Sequence, residues 1–374
     1  MPYDAIVLGL GGVGSAALYH FAQRGLRVLG IEQFGRAHDR GSSHGQTRII
    51  RQAYFEHPAY VPLVLRSYEL WHALEQHTGQ KLLHEVGLLQ IGPAGGEVIS
   101  GVLASAHEHG LSVESLTARE AMARFRGFVV DEGNVAVFER RAGYLRVEAC
   151  VAAHLDEAAR LGAEIHYDEP ARQWHAGDSD VTVTTDRGTY PAGSLIVTAG
   201  PWAGAMLAAV GLRLEVLRKP QLWYRPTADD YRAEGGCPAF LFETSEGIFY
   251  GFPQLGPEGV KVAEHTGGAV VADPSAVDRA LHAADRQRIE EFCGHALPGL
   301  SRECMRWAIC MYTMSADRHF IVDLCHEQPR VALVAGLSGH GFKFTPVLGE
   351  AIADMVTLGT CGLPSELFGL DRVL

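Results

Sequence analysis

A chain of 374 residues in which 47% of the side chains are apolar has the length for about two domains with filled cores. Its formal charge of −12 argues against a nucleic-acid or membrane-surface partner, which would want a basic face, so an anionic small ligand here needs a local basic pocket. No apolar stretch approaches the roughly 20 residues of a membrane span, no signal peptide precedes the first strand, and the seven cysteines (Cys150, Cys237, Cys293, Cys304, Cys310, Cys325, Cys361) form no C-x-x-C pair, so the expectation is a cytoplasmic protein with mostly buried thiols and no metal site.

An apolar run over 5–8 leads into Gly9-Leu10-Gly11-Gly12-Val13-Gly14 and a helical stretch over 15–24. Strand, glycine turn and helix in that order bring a helix N-terminus and its free N–H groups against a pyrophosphate, and glycine leaves room for the close approach. The next apolar run, 26–31, ends in Glu32, where a carboxylate accepts the hydroxyls of an adenosine ribose. An ordinary tight turn would leave Glu32 unexplained. The spacing predicts a dinucleotide site, either NAD or FAD.

Residues 40–51 have no clean period and are dense in small residues, with His44, Arg48 and Arg51 among them. They predict a loop that touches a ligand, and on a single helical turn Arg48 and Arg51 would share one side. A helix is predicted over 58–80, with Val61, Val64, Tyr68, Trp71 and Leu74 as its buried stripe and Gly79 near its end. Then come a strand over 82–91, a helix over 97–109, and a further helix opened by Thr117 with Glu120 as capping-box partner. Residues 146–161 read as a helix closed at Gly162, and 163–167 as a strand that returns to the nucleotide domain. A hairpin follows over 181–190, and 194–200 forms a buried strand running into Gly200, where backbone again approaches a ligand.

From 214 to 265 the period changes to two, with short strands over 216–224, 239–243, 247–252 and 260–265 that belong in an antiparallel sheet. Residues 273–295 read as largely helical. Strands over 320–323 and 331–335, a second glycine-rich turn over 336–343 and a helix over 346–358 complete the chain. The pattern is α/β with α+β: a Rossmann-like nucleotide domain over 1–82, 145–212 and 305–374, interleaved with an antiparallel-sheet substrate domain over 83–144 and 213–304.

Four separated motifs can be read together: Gly9 to Gly14, Ser43-His44-Gly45-Gln46-Thr47-Arg48 through Arg51, Cys310-Met311-Tyr312-Thr313, and Ser338-Gly339-His340-Gly341-Phe342-Lys343. With Phe249-Tyr250-Gly251-Phe252-Pro253, the pair Lys261 and His265, and 317–323, they make the chain resemble, nearly end to end, the monomeric sarcosine oxidase and N-methyltryptophan oxidase family of amine-oxidising flavoenzymes. The resemblance implies FAD in a glutathione-reductase-type domain, bonded through the sulfur of Cys310 to the 8α position of the flavin.

It further implies that Arg51 and Lys343 hold the substrate carboxylate, which agrees with the match of a planar carboxylate to a guanidinium fork and a second cation. Lys261 resembles the lysine that assists dioxygen reduction from the far side of the flavin, where a fixed positive charge is stabilising. By spacing alone, Lys261 and His265 share a strand face and nothing more. His265 matches the histidine near the substrate amine, Tyr250 and Tyr312 the tyrosines lining the substrate cavity, and Arg48 part of the charge around the flavin ring. The cofactor-binding set expected on the same basis is Gly9, Gly11, Gly12, Val13, Gly14, Glu32, Gln33, Ser43, His44, Thr47, Arg48, Gly200, Cys310, Met311, Gly339, Gly341, Phe342 and Lys343.

The implied reaction oxidises sarcosine or another N-methyl amino acid next to nitrogen, with dioxygen as acceptor, and yields the demethylated amino acid, formaldehyde and hydrogen peroxide. The implied assembly is a monomer. Oxidases of N-methyltryptophan, pipecolate, proline-like or fructosyl amino acids share the scaffold. A flavin dehydrogenase with another acceptor is disfavoured by Lys261, and a flavin-binding subunit without turnover by the retention of Arg51, Lys343 and Lys261.

Overall fold

The computed structural model describes residues 2–360 and 362–374, so Cys361 lies outside the described residues. β1 (Tyr3–Leu8), α1 (Gly12–Gln23) and β2 (Val28–Ile31) form the opening unit, with the strands parallel and Leu8 beside Ile31, so that both end level with the glycine turn. Gly14 makes the closure possible. A Cβ at that position would lie 1.8 Å from the Gly9 carbonyl oxygen, so only glycine lets α1 press onto the strand end.

Part of the expected loop over 40–51 is a strand, β3 (Thr47–Ile50), and Arg48 and Arg51 are therefore not set on a helical turn. α2 (Tyr60–Thr78) stops at Gly79 in the left-handed region. The apolar run over 82–91 is two strands, β4 (Leu83–His84) and β5 (Leu88–Pro93), because the backbone turns through Gly87 at φ +82°. α3 (Glu97–His109), β6 (Glu114–Thr117), α4 (Ala118–Arg124) with its Thr117–Glu120 capping box, β7 (Asn134–Glu139) and β8 (Gly143–Arg146) follow. β3, β8 and β4 pair as a small sheet in that order.

The chain returns to the first unit through α5 (Val147–Arg160), β9 (Glu164–His166), β10 (Ala171–Ala176), β11 (Val181–Thr185) and β12 (Thr189–Val197). β12 is one strand where a hairpin arm and a separate strand were expected: its first half pairs with β11 and its second half with β1. Then come α6 (Ala203–Met206), β13 (Glu215–Pro226), β14 (Ala239–Thr244), β15 (Gly247–Phe252), β16 (Val260–Glu264) and β17 (Ala269–Val270). α7 (Ala283–Ala296) is shorter than the helix expected over 273–295, since the capping box of His282 and Asp285 sets its start. β18 (Leu300–Met314), β19 (Ile321–Cys325), β20 (Gln328–Ala335), α8 (Thr345–Leu358) and α9 (Ser365–Phe368) end the chain.

The first sheet has the order β10-β11-β12-β1-β2-β9, with β20 beside β12 and β19 beside β20. Ala5 and Val7 face α1, α2, α5 and α8, whereas Ile6 and Leu8 face a second core, which explains why β1 is apolar from Ala5 to Leu8. The second sheet runs β17-β13-β16-β15-β14-β5-β7-β6 with β18 along β13, and it is antiparallel except where β5 meets β14. Phe240, Phe242 and Phe249 pack toward α4 and α7, and Leu241 and Tyr250 toward α3. The expected boundary at 305 falls inside β18, which pairs with β13 over most of its length. Cys310 thus reaches the nucleotide half from the second sheet.

Candidate active site

A cavity of about 380 Å³ opens where the glycine turn after β1, the end of β2, the turn after β12, β18 and the turn after β20 meet. Gly9, Gly11, Gly12, Val13, Glu32, Gln33, Ser43, Arg48, Gly200, Cys310, Met311, Gly339, Gly341, Phe342 and Lys343 all line it, as do Arg51, Tyr250, His265 and Tyr312. Gly14, His44, Thr47 and Lys261 do not. Gly14 acts one layer back, in the helix–strand closure described above.

The residues at the glycine turn fit a dinucleotide. α1 presents its N-terminus with no acidic residue in the first turn and no capping side chain from Gly11, so its positive end stays available to a phosphate. Gly12 N–H donates to Ser43 Oγ at 3.0 Å, tying the turn to the segment after β2. Glu32 is buried and held by backbone amides: Leu10 N–H donates to Oε2 at 2.8 Å and Phe34 N–H to Oε1 at 3.0 Å. A carboxylate has about four lone-pair sites, so both oxygens keep capacity for ribose hydroxyls while the amides fix their direction.

Alternation along β18 sends Cys310 and Tyr312 to the same side. Cys310 is buried, and Arg48 reaches it from β3: Nη2 donates to Sγ at 3.2 Å and to Ser42 O at 2.7 Å, while Nη1 donates to Thr47 O at 2.8 Å. The second glycine turn packs against Tyr312 through Gly339, whose φ is +83° and whose Cβ, if it had one, would sit 2.4 Å from the ring.

Arg51 lies between the rings of Tyr54 and Phe55, 4.5 Å from each, and forms a buried ion pair with Glu56. Among the described residues, Arg51 Nε and Glu56 Oε1 have no hydrogen-bond partner. Burial would raise the Glu56 carboxyl, but Arg51, His340 and Lys343 outweigh it and hold the group near 2. Lys343 is buried and donates to His340 O at 2.8 Å, and Trp71 Nε1–H holds its own carbonyl at 3.1 Å. Burial first, then Arg51, pulls the Lys343 ammonium well below its ordinary value. His265 falls to about 3, mainly through burial, and stays neutral near pH 7; its ring lies 5.7 Å from that of Tyr312.

Lys261 occupies neither a solvent-facing strand position nor the cavity wall. It is 2% exposed, behind Arg48, and its ammonium donates to Gly45 O at 2.6 Å and Thr47 O at 3.1 Å. His44 belongs to the same layer, lowered to about 3 by burial and then by Arg48. Three carboxylates absent from the sequence-based set also shape the site. Glu56 pairs Arg51; Glu139 accepts from Gln52 N–H at 2.6 Å and Ala53 N–H at 3.1 Å, anchoring the segment after Arg51; Glu148 accepts from Gly45 N–H at 2.7 Å, anchoring the segment before Arg48.

Glycine turn, ribose carboxylate and cation-lined cavity together define a flavin-dependent oxidoreductase: a family model described as FAD dependent oxidoreductase matches residues 4–355, and the chain belongs to that family. Within it the chain belongs with the monomeric sarcosine oxidases and N-methyl-L-tryptophan oxidases. It is 42% identical over 377 residues to monomeric sarcosine oxidase of Streptomyces avermitilis, covering 99% of this chain and 98% of that protein. To N-methyl-L-tryptophan oxidase of Yersinia pestis it is 39% identical over 358 residues, 94% of each chain. The solved open form of NikD, an unusual amino acid oxidase essential for nikkomycin biosynthesis, superposes with a TM-score of 0.86 at 25% identity, covering 98% of this chain and 97% of that one. Glycine oxidase from Geobacillus kaustophilus shares the fold at a TM-score of 0.83 and 20% identity, covering 100% and 99%.

Proposed function

We propose that the protein oxidises a secondary amino acid, sarcosine or another N-methyl amino acid, with dioxygen as acceptor, and works as a cytoplasmic monomer carrying FAD tethered through Cys310. The observation that carries this reading is the presence of Arg51 and Lys343 in one cavity with the dinucleotide turn and with the neutral His265. The names of the relatives support it.

FAD, when bound, supplies the two-electron oxidation. The chain's own side chains do the rest. The Arg51 fork and Lys343 accept the substrate carboxylate, whose arrival beside Lys343 offsets the burial that depresses that ammonium. The amine must be neutral to lose a hydride, and Arg48, Arg51 and Lys343 disfavour a further cation. His265, uncharged, offers the amine a hydrogen bond without adding charge. Phe55, Leu241, Tyr250 and Tyr312 wall the cavity with carbon and hold water off the reacting bond. Lys261, one layer behind Arg48, is assigned to dioxygen reduction: burial and then Arg48 pull its ammonium well below its ordinary value, and the Gly45 and Thr47 carbonyls that accept from it favour the charged form that this role needs. For sarcosine, the substrate, dioxygen and water give glycine, formaldehyde and hydrogen peroxide.

The test is peroxide formation by the holoenzyme across sarcosine, N-methylalanine, N-methyltryptophan, pipecolate, proline and glycine. N-methyl amino acids with small side chains should give the highest kcat/KM. Peroxide from none of the secondary amines, or a preference for glycine, would overturn the reading.

A further inference from the structure

Lys219 lies on β13 directly across from Cys310 on β18 and is 3% exposed. Its ammonium donates to three consecutive carbonyl oxygens, those of His265 at 3.1 Å, Thr266 at 2.8 Å and Gly267 at 3.0 Å. The three N–H groups of one lysine are thus all used in a single turn. The same ammonium stands 5.0 Å over the ring of Tyr312.

That turn connects β16 to β17 and delivers His265 to the cavity. Its backbone passes through the left-handed region at Gly267 and Gly268, φ +63° and +120°, which aims successive carbonyls inward. Three oxygen dipoles converging on one point repel unless a cation sits among them. On one flank the turn is tied to β15, with His265 N–H donating to Ile248 O at 2.7 Å and Ile248 N–H to Thr266 Oγ1 at 3.0 Å. Away from the cavity, Thr266, Gly267 and Gly268 border a second cleft, so the turn has space to move outward.

We propose that Lys219 is a positioning residue of the active site: by gathering the 265–267 carbonyls and underlying Tyr312, it holds the His265 and Tyr312 rings at the substrate. This inference rests on the proposed amine oxidation for its kinetic consequence, but its structural half stands apart from it.

The experiment compares wild type with Lys219→Met, which keeps length and removes all donors, and Lys219→Gln, which restores two. Hydrogen exchange of the peptide over 264–270, turnover of sarcosine, and acetate binding read from the flavin absorbance are measured on each holoenzyme. Loss of hydrogen bonds to a charged donor predicts, for Lys219→Met, about tenfold faster exchange confined to that peptide and a kcat lowered by about tenfold or more. Acetate affinity should stay within about threefold of wild type, since Arg51 and Lys343 are untouched, and Lys219→Gln should recover part of both losses. Unchanged exchange over 264–270 would overturn the proposal. So would faster exchange throughout the chain together with lost acetate binding, which would mark Lys219 as a general stability element. Should wild type produce no peroxide from any secondary amine, the functional reading fails while the exchange comparison still decides the role of Lys219, and Lys219→Gln keeps that comparison open if Lys219→Met does not fold.

Discussion

Arg48 Nη2 donates to Cys310 Sγ at 3.2 Å and, through the same nitrogen, to Ser42 O at 2.7 Å, so the guanidinium is fixed at the sulfur by a backbone carbonyl of the cavity wall. A cationic donor fixed at that sulfur would hold it in place and favour the anionic form that attacks carbon. Acid precipitation of the native protein should therefore leave flavin in the pellet. Cys310→Ala should release it to the supernatant, and Arg48→Met, which keeps the sulfur and loses the donor, should release a large fraction. Flavin absorbance of the supernatant is the measurement, and equal release by wild type and Cys310→Ala would remove the tether.

Glu56 pairs with Arg51, the residue proposed to receive the substrate carboxylate, so the two carboxylates would compete for one guanidinium. Truncating Arg51 or Lys343 to Ala should weaken acetate binding by roughly 10- to 100-fold, the range for a charge-assisted hydrogen bond. Glu56→Gln should act oppositely. It leaves a buried guanidinium without its counter-ion, so thermal stability falls, while an added carboxylate now supplies the missing charge and binds about tenfold more tightly. Titration of each variant with acetate, read from the flavin absorbance, tests both signs; unchanged binding in Arg51→Ala and Lys343→Ala would take these residues out of the site.

The parts of this site legible in the sequence are those that local chemistry constrains. A pyrophosphate needs the spacing of Gly9 to Gly14, a ribose needs a carboxylate at the end of β2, and Cys310 and Lys343 sit in short motifs that travel as units. β18 was not legible: its first half carries Arg302, Glu303, Arg306 and Trp307 at partly exposed positions and shows no clean period, although its second half is buried. Glu139, Glu148 and Lys219 were invisible for another reason. Each grips backbone that lies 87, 103 and 46 residues away, respectively, and only tertiary pairing brings them there. By spacing alone Lys261 only shares a strand face with His265, and its burial was not legible because that stretch of the second sheet is covered on both sides.

Lys261 holds the carbonyls of Gly45 and Thr47, the residues just before Arg48, so its loss has an electrostatic effect and a structural one. Lys261→Met removes both. Stopped-flow traces should show reoxidation of the flavin by dioxygen slowed by about 100-fold or more, on the scale of losing a preorganised charge, and reduction by substrate slowed far less. Equal slowing of the two half-reactions would assign Lys261 to scaffolding alone.

Stability should fall in mild acid for a reason distant from the cavity. His20 on α1 and His154 on α5 are buried, and burial lowers them from 6.5 to about 4 and about 3. His20 Nε2 has no hydrogen-bond partner among the described residues, and His154 packs against Trp71 and Tyr19. Both are neutral in the fold and take up a proton near 6.5 once unfolded, so between pH 6.5 and 4 the unfolded chain binds more protons. Their stabilising effect is thus complete above pH 6.5 and is lost as the pH falls toward 4. Each histidine contributes about 2 kcal/mol of the loss between pH 7 and pH 5. His154→Phe removes one of them, and its melting temperature should drop by about 2–3 °C less than that of wild type over the same interval. Parallel melting curves at the two pH values, equal for both proteins, would show that His154 does not carry this acid sensitivity.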